Sequence, residues 1–262
     1  MGESNSNIAD DILRFLEQER EIYGDFTPSL TDSLPAEEPG DSSEPKEQET
    51  AQSQPEPEPK QAAPKKPLTL SERLNACSTL DELRELCKQA DELKTDLENT
   101  NLVFGVGNPT ADLMLIGEAP GEQEDKQGEP FVGPAGQLLN KILAAINFDR
   151  DDVYVANILK HRPPGNRNPN EEERQRSLPY LHRQIDLIRP KVILCLGKVS
   201  GTTLLEKDQT LGSMRGRFYD FRGTKLTVTY HPAALLRNQK WKRPTWEDVQ
   251  MVREKYDELA GS

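Results

Sequence analysis

Cysteine, apolar residues and aromatic rings are all scarce in this chain of 262 residues. The three cysteines, Cys77, Cys87 and Cys195, stand at irregular spacing, which excludes a disulfide framework and a cysteine zinc site and points to a reducing, cytoplasmic setting. Apolar residues make up 34% of the chain, against about 45–50% (glycine counted) in an ordinary globular domain. A deficit of that size means that part of the chain builds no core. No apolar run reaches the roughly 18 residues of a membrane span, and the first residues lack the apolar stretch of a signal peptide. Met1-Gly2 with Ser6 fits the loose myristoylation pattern, but nothing near it speaks for a lipid surface, so no membrane partner is expected.

The deficit is local. Residues 1–66 hold 16 acidic against 6 basic side chains, and nine of the twenty prolines fall in residues 24–67. Runs such as PEPEPK cannot bury enough apolar surface to offset the entropy of ordering, so residues 24–67 read as a disordered acidic tether. Ahead of it, residues 7–23 space Ile8, Ile12, Phe15, Leu16, Ile22 and Tyr23 at helical intervals. Two readings of this short amphipathic helix stand: it folds back on the body, or it docks on a partner protein. The expected division is therefore helix 1–23, linker 24–67 and folded domain 68–262.

From Leu68 two helices are expected, the second opened by Ser78 with Asp81 three residues on. From Asp112 apolar strands alternate with helices: strands over 112–118, 152–159 and 191–197, and a last pair around Arg222-Gly223. Helices fall between, one of them over 171–189 with Pro179 kinking it or near its start. Continuous apolar strands covered by helices indicate a three-layer α/β/α fold on a central, mainly parallel four-stranded sheet. In such folds ligands bind at the carboxyl ends of the strands.

Four segments occupy those ends: Gly117-Glu118-Ala119-Pro120-Gly121 leading to Phe131; Asn157 and LKHRPPGNRNP; Cys195-Leu196-Gly197; and Tyr230-His231-Pro232. Each has a plain reading as well: a tight turn, an asparagine capping backbone groups, a helix entry, a structural histidine. GEAPG is neither a P-loop nor a dinucleotide fingerprint. Ser200 sits one place too late for a nucleophile elbow. Charge adds a clue, since residues 160–243 carry 18 Lys+Arg against 7 Asp+Glu. Lys160, Arg162, Arg167, Arg237, Lys240, Lys242 and Arg243 flank the strand-end loops, which sets a polyanion such as nucleic acid on equal terms with a merely solvated face.

Taken in order, VFGVGNPTADLMLIGEAPGEQEDKQGEPFVGPAGQLLNKIL, VYVANILKHRPPGNRNP, IRPKVILCLG and YHPAALLR resemble the family-4 uracil-DNA glycosylases over about residues 87–258. The resemblance implies an enzyme that hydrolyses the N-glycosidic bond of a uracil rotated out of DNA. It implies that Phe131 stacks on the base, that the Asn157 amide pairs with its O4 and N3–H, and that His231 lies near O2. Glu118, Ala119 and Pro120 would form the pocket wall with backbone N–H groups facing the base, and Glu118 would hold the attacking water or exclude a methyl group. Leu235 and Leu236 would wedge into the gap, with Arg237, Arg162 and Arg167 on the DNA. Uracil-containing DNA is the expected partner of a monomer.

Family-4 enzymes hold a four-iron, four-sulfur cluster on four cysteines. The corresponding positions here are Ala90, Leu93, His161 and Ser177, none of them cysteine. From this the sequence leads to an expectation of no cluster, and of no other metal or organic cofactor. It leaves His161 as a polar filler or as a group with a chemical role. Two other functions stay open at this stage: an inactive DNA-binding adaptor working through residues 7–23, and a glycosylase for another damaged base.

Overall fold

The computed structural model describes residues 68–260; the helix expected over 7–23 and the linker expected over 24–67 lie outside them. Two short helices come first, α1 (Leu70–Ala76) and α2 (Leu80–Lys88). The expected start of α2 shifts by one residue. Thr79 is the N-cap: its hydroxyl accepts from the Glu82 N–H while Glu82 reaches back, and Ser78 adds a further bond to the same carboxylate.

The order then runs β1 (Val106–Gly107), β2 (Leu113–Gly117), α3 (Glu122–Gln127), α4 (Pro134–Ala145), β3 (Tyr154–Asn157), α5 (Glu171–Ile188) and β4 (Val192–Leu196). It continues α6 (Lys198–Leu205), α7 (Leu211–Met214), β5 (Tyr219–Phe221), β6 (Thr224–Thr229), α8 (Pro232–Arg237) and α9 (Lys242–Ala260). Helix α5 runs through Pro179.

The sheet has six strands, not the four expected, in the order β1-β3-β2-β4-β6-β5. The four inner strands are parallel to one another, as expected. The two edges run antiparallel, β1 against β3 and β5 against β6; β5 belongs to the pair expected around Arg222-Gly223, and β1 was not expected. A two-residue strand such as β1 has no periodicity to read, and β5 forms a hairpin with β6 through Arg222-Gly223.

Alternation along each inner strand sends side chains to both faces. Leu113, Leu115, Val155 and Leu194 meet α4 and α9 on one side. Met114, Ile116, Ala156 and Ile193 meet α5 and α6 on the other. Both faces being covered explains why the strands read as unbroken apolar runs. A third apolar cluster joins α1 and α2 to Phe104 and to Tyr180 of α5.

The register brings Gly117 opposite Asn157, and Leu196 opposite Thr229. The carboxyl ends of all four parallel strands therefore open on one edge, where Glu118, Asn157, Gly197 and His231 emerge.

Candidate active site

Gly117 is the last residue of β2, and no side chain fits there. A Cβ on it would lie 2.3 Å from Asn157 Oδ1 and 2.6 Å from Phe131 Cζ. The aromatic ring and the amide thus converge on the same spot above the strand end. Asn157 is 2% exposed, yet its amide has no hydrogen-bond partner among the described residues. No fully enclosed side-chain nitrogen or oxygen among those residues lacks a partner, so the Asn157 amide is not sealed off at the strand end.

Phe131 reaches this spot by an uncommon backbone conformation, φ +56°, which costs about 1–3 kcal/mol for a bulky residue unless its surroundings enforce it. Three contacts do so. Glu124 Oε1 accepts from the N–H groups of Val132 (3.0 Å) and Gly133 (2.9 Å). Arg150 donates to the Pro130 carbonyl (2.7 Å). Gly136, near the start of α4, lets that helix press onto the loop, since a Cβ there would stand 1.8 Å from the Phe131 oxygen. Sequence reading missed Glu124 because its partners are backbone groups. The spacing of Glu124 to Val132 carries no signal of its own. Glu124→Ala should cost about 1.5–3 kcal/mol of unfolding free energy in denaturant titrations, the range for hydrogen bonds to a charged acceptor. A cost below about 0.5 kcal/mol would show that the clamp does not hold the loop.

His231 follows β6 and caps α8. The Ala233 N–H donates to its Nδ1 at 3.2 Å, which leaves the proton of the neutral ring on Nε2. Desolvation, with help from the nearby Arg237 charge, pushes its pKa down to about 4. The ring stands 5.4 Å from the Phe131 ring at an interplanar angle of 30°. Gly197, at φ +102°, passes beneath it. The strand behind His231 is braced from inside: Thr229 donates to the buried Asp248 carboxylate (2.7 Å), which also accepts from Arg215 Nε (2.9 Å).

Glu118 is half-buried, and among the described residues its carboxylate has no hydrogen-bond partner. Burial raises its pKa, and Arg174 opposes the shift. Ala119 and Pro120 continue the wall, but Pro120 has no N–H, so only Glu118 and Ala119 can offer one.

The family model described as uracil DNA glycosylase superfamily matches residues 104–250. The type-4 uracil-DNA glycosylase of Saccharolobus solfataricus is 42% identical over 184 residues, 67% of this chain and 85% of that protein. That of Pyrobaculum aerophilum is 40% identical over 66% of this chain and 92% of its own length. The Thermotoga maritima enzyme is 38% identical over 67% and 95%. The chain belongs to the uracil-DNA glycosylase superfamily.

Kinship with the type-4 uracil-DNA glycosylases overturns the expectation that the iron–sulfur cluster is absent. The chain stands with the group to which the resemblance ascribes that cluster, and three buried cysteines do not demonstrate its absence. The residues at the four corresponding positions do not themselves fit such a group. Ala90 and Leu93 are packed in the cluster around α1 and α2. Ser177 donates to the Ile158 carbonyl (2.8 Å), and His161 Nδ1 lies 3.0 Å from Thr100 Oγ1. Burial lowers the His161 pKa, and its partner lies outside the pocket.

The outer residues of this uracil-DNA glycosylase fold differ from the sequence expectation in three places. Leu235 is 2% exposed and packs inward, whereas Leu236 is 54% exposed. Arg167 is held by the buried Glu173 carboxylate (2.7 Å and 2.8 Å) and by Asp96, so it is committed within the protein. Lys160 is fully buried rather than part of a basic face. Arg162 bonds Asn166 (2.7 Å) and approaches Glu122 (3.6 Å). Arg237 is exposed and, among the described residues, pairs with no carboxylate. No helix among those residues is long and apolar enough to cross a membrane.

Proposed function

We propose that the chain is a DNA-repair glycosylase that hydrolyses the N-glycosidic bond of uracil in DNA and leaves an abasic site, with residues 68–262 as the catalytic domain. The observation that carries this reading is an unpaired amide and a neutral, Nε2-protonated histidine converging on one aromatic ring at the strand ends.

A base inside a duplex is out of reach of these groups, so it must first rotate out of the stack. Phe131 then takes the base face, a contact worth about 1–3 kcal/mol. The Asn157 amide offers an N–H to uracil O4 and its oxygen to N3–H. Cytosine presents the opposite pair, so it is refused. As the C1′–N1 bond breaks, its electron pair leaves with uracil, and charge collects on O2. The Nε2–H of neutral His231 points at that charge, a donor worth about 3–4 kcal/mol in such settings. Water forms the new bond to C1′ and gives up its proton to the Glu118 carboxylate, whose poor solvation makes it a stronger base. Leu236 fills the vacated space in the helix, and Arg237 meets a neighbouring phosphate.

The test is release of free uracil from a single-uracil oligonucleotide, single- and double-stranded, beside the Asn157→Ala variant. Release by the parent protein that drops at least about a hundredfold in the variant is the expected result. DNA binding with no release by the parent would instead make this an adaptor. Release of hypoxanthine in place of uracil would reassign the substrate.

A further inference from the structure

Lys160 makes no ion pair among the described residues, although it is fully enclosed. Lysine is almost never buried so completely unless paired, because desolvating an ammonium is costly. An apolar side chain of the same length would fill the space at less cost, so packing alone does not account for the lysine. What the ammonium does there is make three hydrogen bonds. Nζ donates to the main-chain oxygen of Asn157 (3.0 Å), to the main-chain oxygen of Phe104 (3.2 Å) and to Gln184 Oε1 (2.5 Å). The Gln184 amide in turn donates to the same Phe104 oxygen at 3.0 Å. Three elements are tied at this point: the end of β3, the segment ahead of β1, and α5.

The Asn157 side chain, by contrast, has no hydrogen-bond partner among the described residues to orient it. Its direction is set by its own backbone, which is held by pairing with β2 on one side and by Lys160 on the other. We propose that Lys160 is a positioning residue for Asn157: its buried ammonium fixes the peptide from which the base-reading amide projects. This rests on the reading above that Asn157 contacts uracil. Burial draws the Lys160 pKa down to about 8, in keeping with a dry site.

The test is a double-mutant cycle of Lys160→Met and Asn157→Ala in the full chain, read as single-turnover uracil release. Lys160→Met alone should slow release roughly ten- to hundredfold, and in the Asn157→Ala background it should slow it by less than about threefold, because the group it positions is gone. Equal slowing in both backgrounds overturns the proposal. A second readout separates positioning from general damage. Affinity for a duplex carrying an uncleavable uracil analogue should fall, while affinity for the same duplex carrying an abasic-site analogue stays unchanged. Parallel loss of both overturns it. If Lys160→Met does not fold, Gln184→Met takes its place in the cycle, since it removes one acceptor and leaves the lysine. Wild-type release by Asn157→Ala alone would overturn the reading of Asn157, and this proposal with it, and is recognised before the second substitution is made.

Discussion

Replacing His231 with alanine is expected to lower single-turnover uracil release by about 10²–10³, the cost of removing one donor aimed at a developing negative charge. Affinity for DNA should change little, because the exposed Arg237, proposed to meet a phosphate, is untouched. The substitution also removes the acceptor for the Ala233 N–H at the start of α8, a cap worth about 1 kcal/mol. The thermal midpoint should therefore fall by only about 2–4 °C in a domain of this size. A thousandfold loss with a nearly intact fold is the signature of a donor. Loss of activity and fold together would place His231 in the scaffold.

The same residue predicts a pH profile. Folded His231 takes its proton near pH 4, whereas an unfolded histidine takes it near pH 6.5. The neutral donor is thus present throughout the neutral range, and turnover should show no histidine limb at pH 6.5. Release that falls as pH rises through about 6.5, and still does so in Glu118→Gln, would mean that the imidazolium is the working form. Stability should respond in the matching direction. As pH falls from about 6.5 to 4 the unfolded chain gains the proton first, so His231 removes about 3 kcal/mol of stability over that window. The difference between the parent and His231→Ala, measured by denaturant titration across those pH values, should show that slope.

The second large effect is expected from one added methyl group. Gly117→Ala would put a Cβ at 2.3 Å from Asn157 Oδ1 and 2.6 Å from Phe131 Cζ. Neither neighbour can retreat cheaply. Phe131 is held by Glu124, Arg150 and the close approach of α4, and the Asn157 peptide is held by β2 and Lys160. The methyl must displace the ring or the amide, and both belong to the proposed base-binding surface. Overpacking of this kind costs about 1–3 kcal/mol, or roughly 2–12 °C in the thermal midpoint. Uracil release should fall by about 10² or more, since misplacement by about an ångström costs that much. Release within about threefold of the parent would show that the two side chains do not flank the base.

Much of this architecture was legible because buried parallel strands leave unbroken apolar runs such as LMLI and VILCL, with helices between them. Of the outer strands, β5 was legible as one of the pair around Arg222-Gly223, whereas Val106-Gly107 is too short for any pattern. Helix α3 escaped notice for a related reason: EQEDKQ has no apolar face, and its value lies in Glu124 reaching backbone groups across the loop. Within the site, Asn157 and His231 were visible as strand-end residues, but it was the resemblance to the family-4 glycosylases that singled them out together with Phe131. The basic residues were harder to read. Lys160, Arg162 and Arg167 look alike in a sequence, yet one is enclosed, one bonds a neighbouring asparagine and one is locked to Glu173. Charge says that a side chain wants a partner, but not whether that partner is DNA. Leu235 and Leu236 pose the same problem in apolar form, since one helical step of about 100° turns the first inward and the second outward.

Of the groups proposed to face the base, Asn157 and His231 come from the ends of separate strands, and each is aimed by the register of its strand against the next. A slip of one residue between β4 and β6 would turn His231 to the opposite face. Uracil release would then report more than catalysis. It would count only molecules in which β2, β3, β4 and β6 are all correctly paired, contacts that close long stretches of chain and are slow to form. During refolding, the return of activity should therefore trail the return of helical signal, with the pairing of β2 and β4, which closes the longest stretch of chain, as the last to come into line.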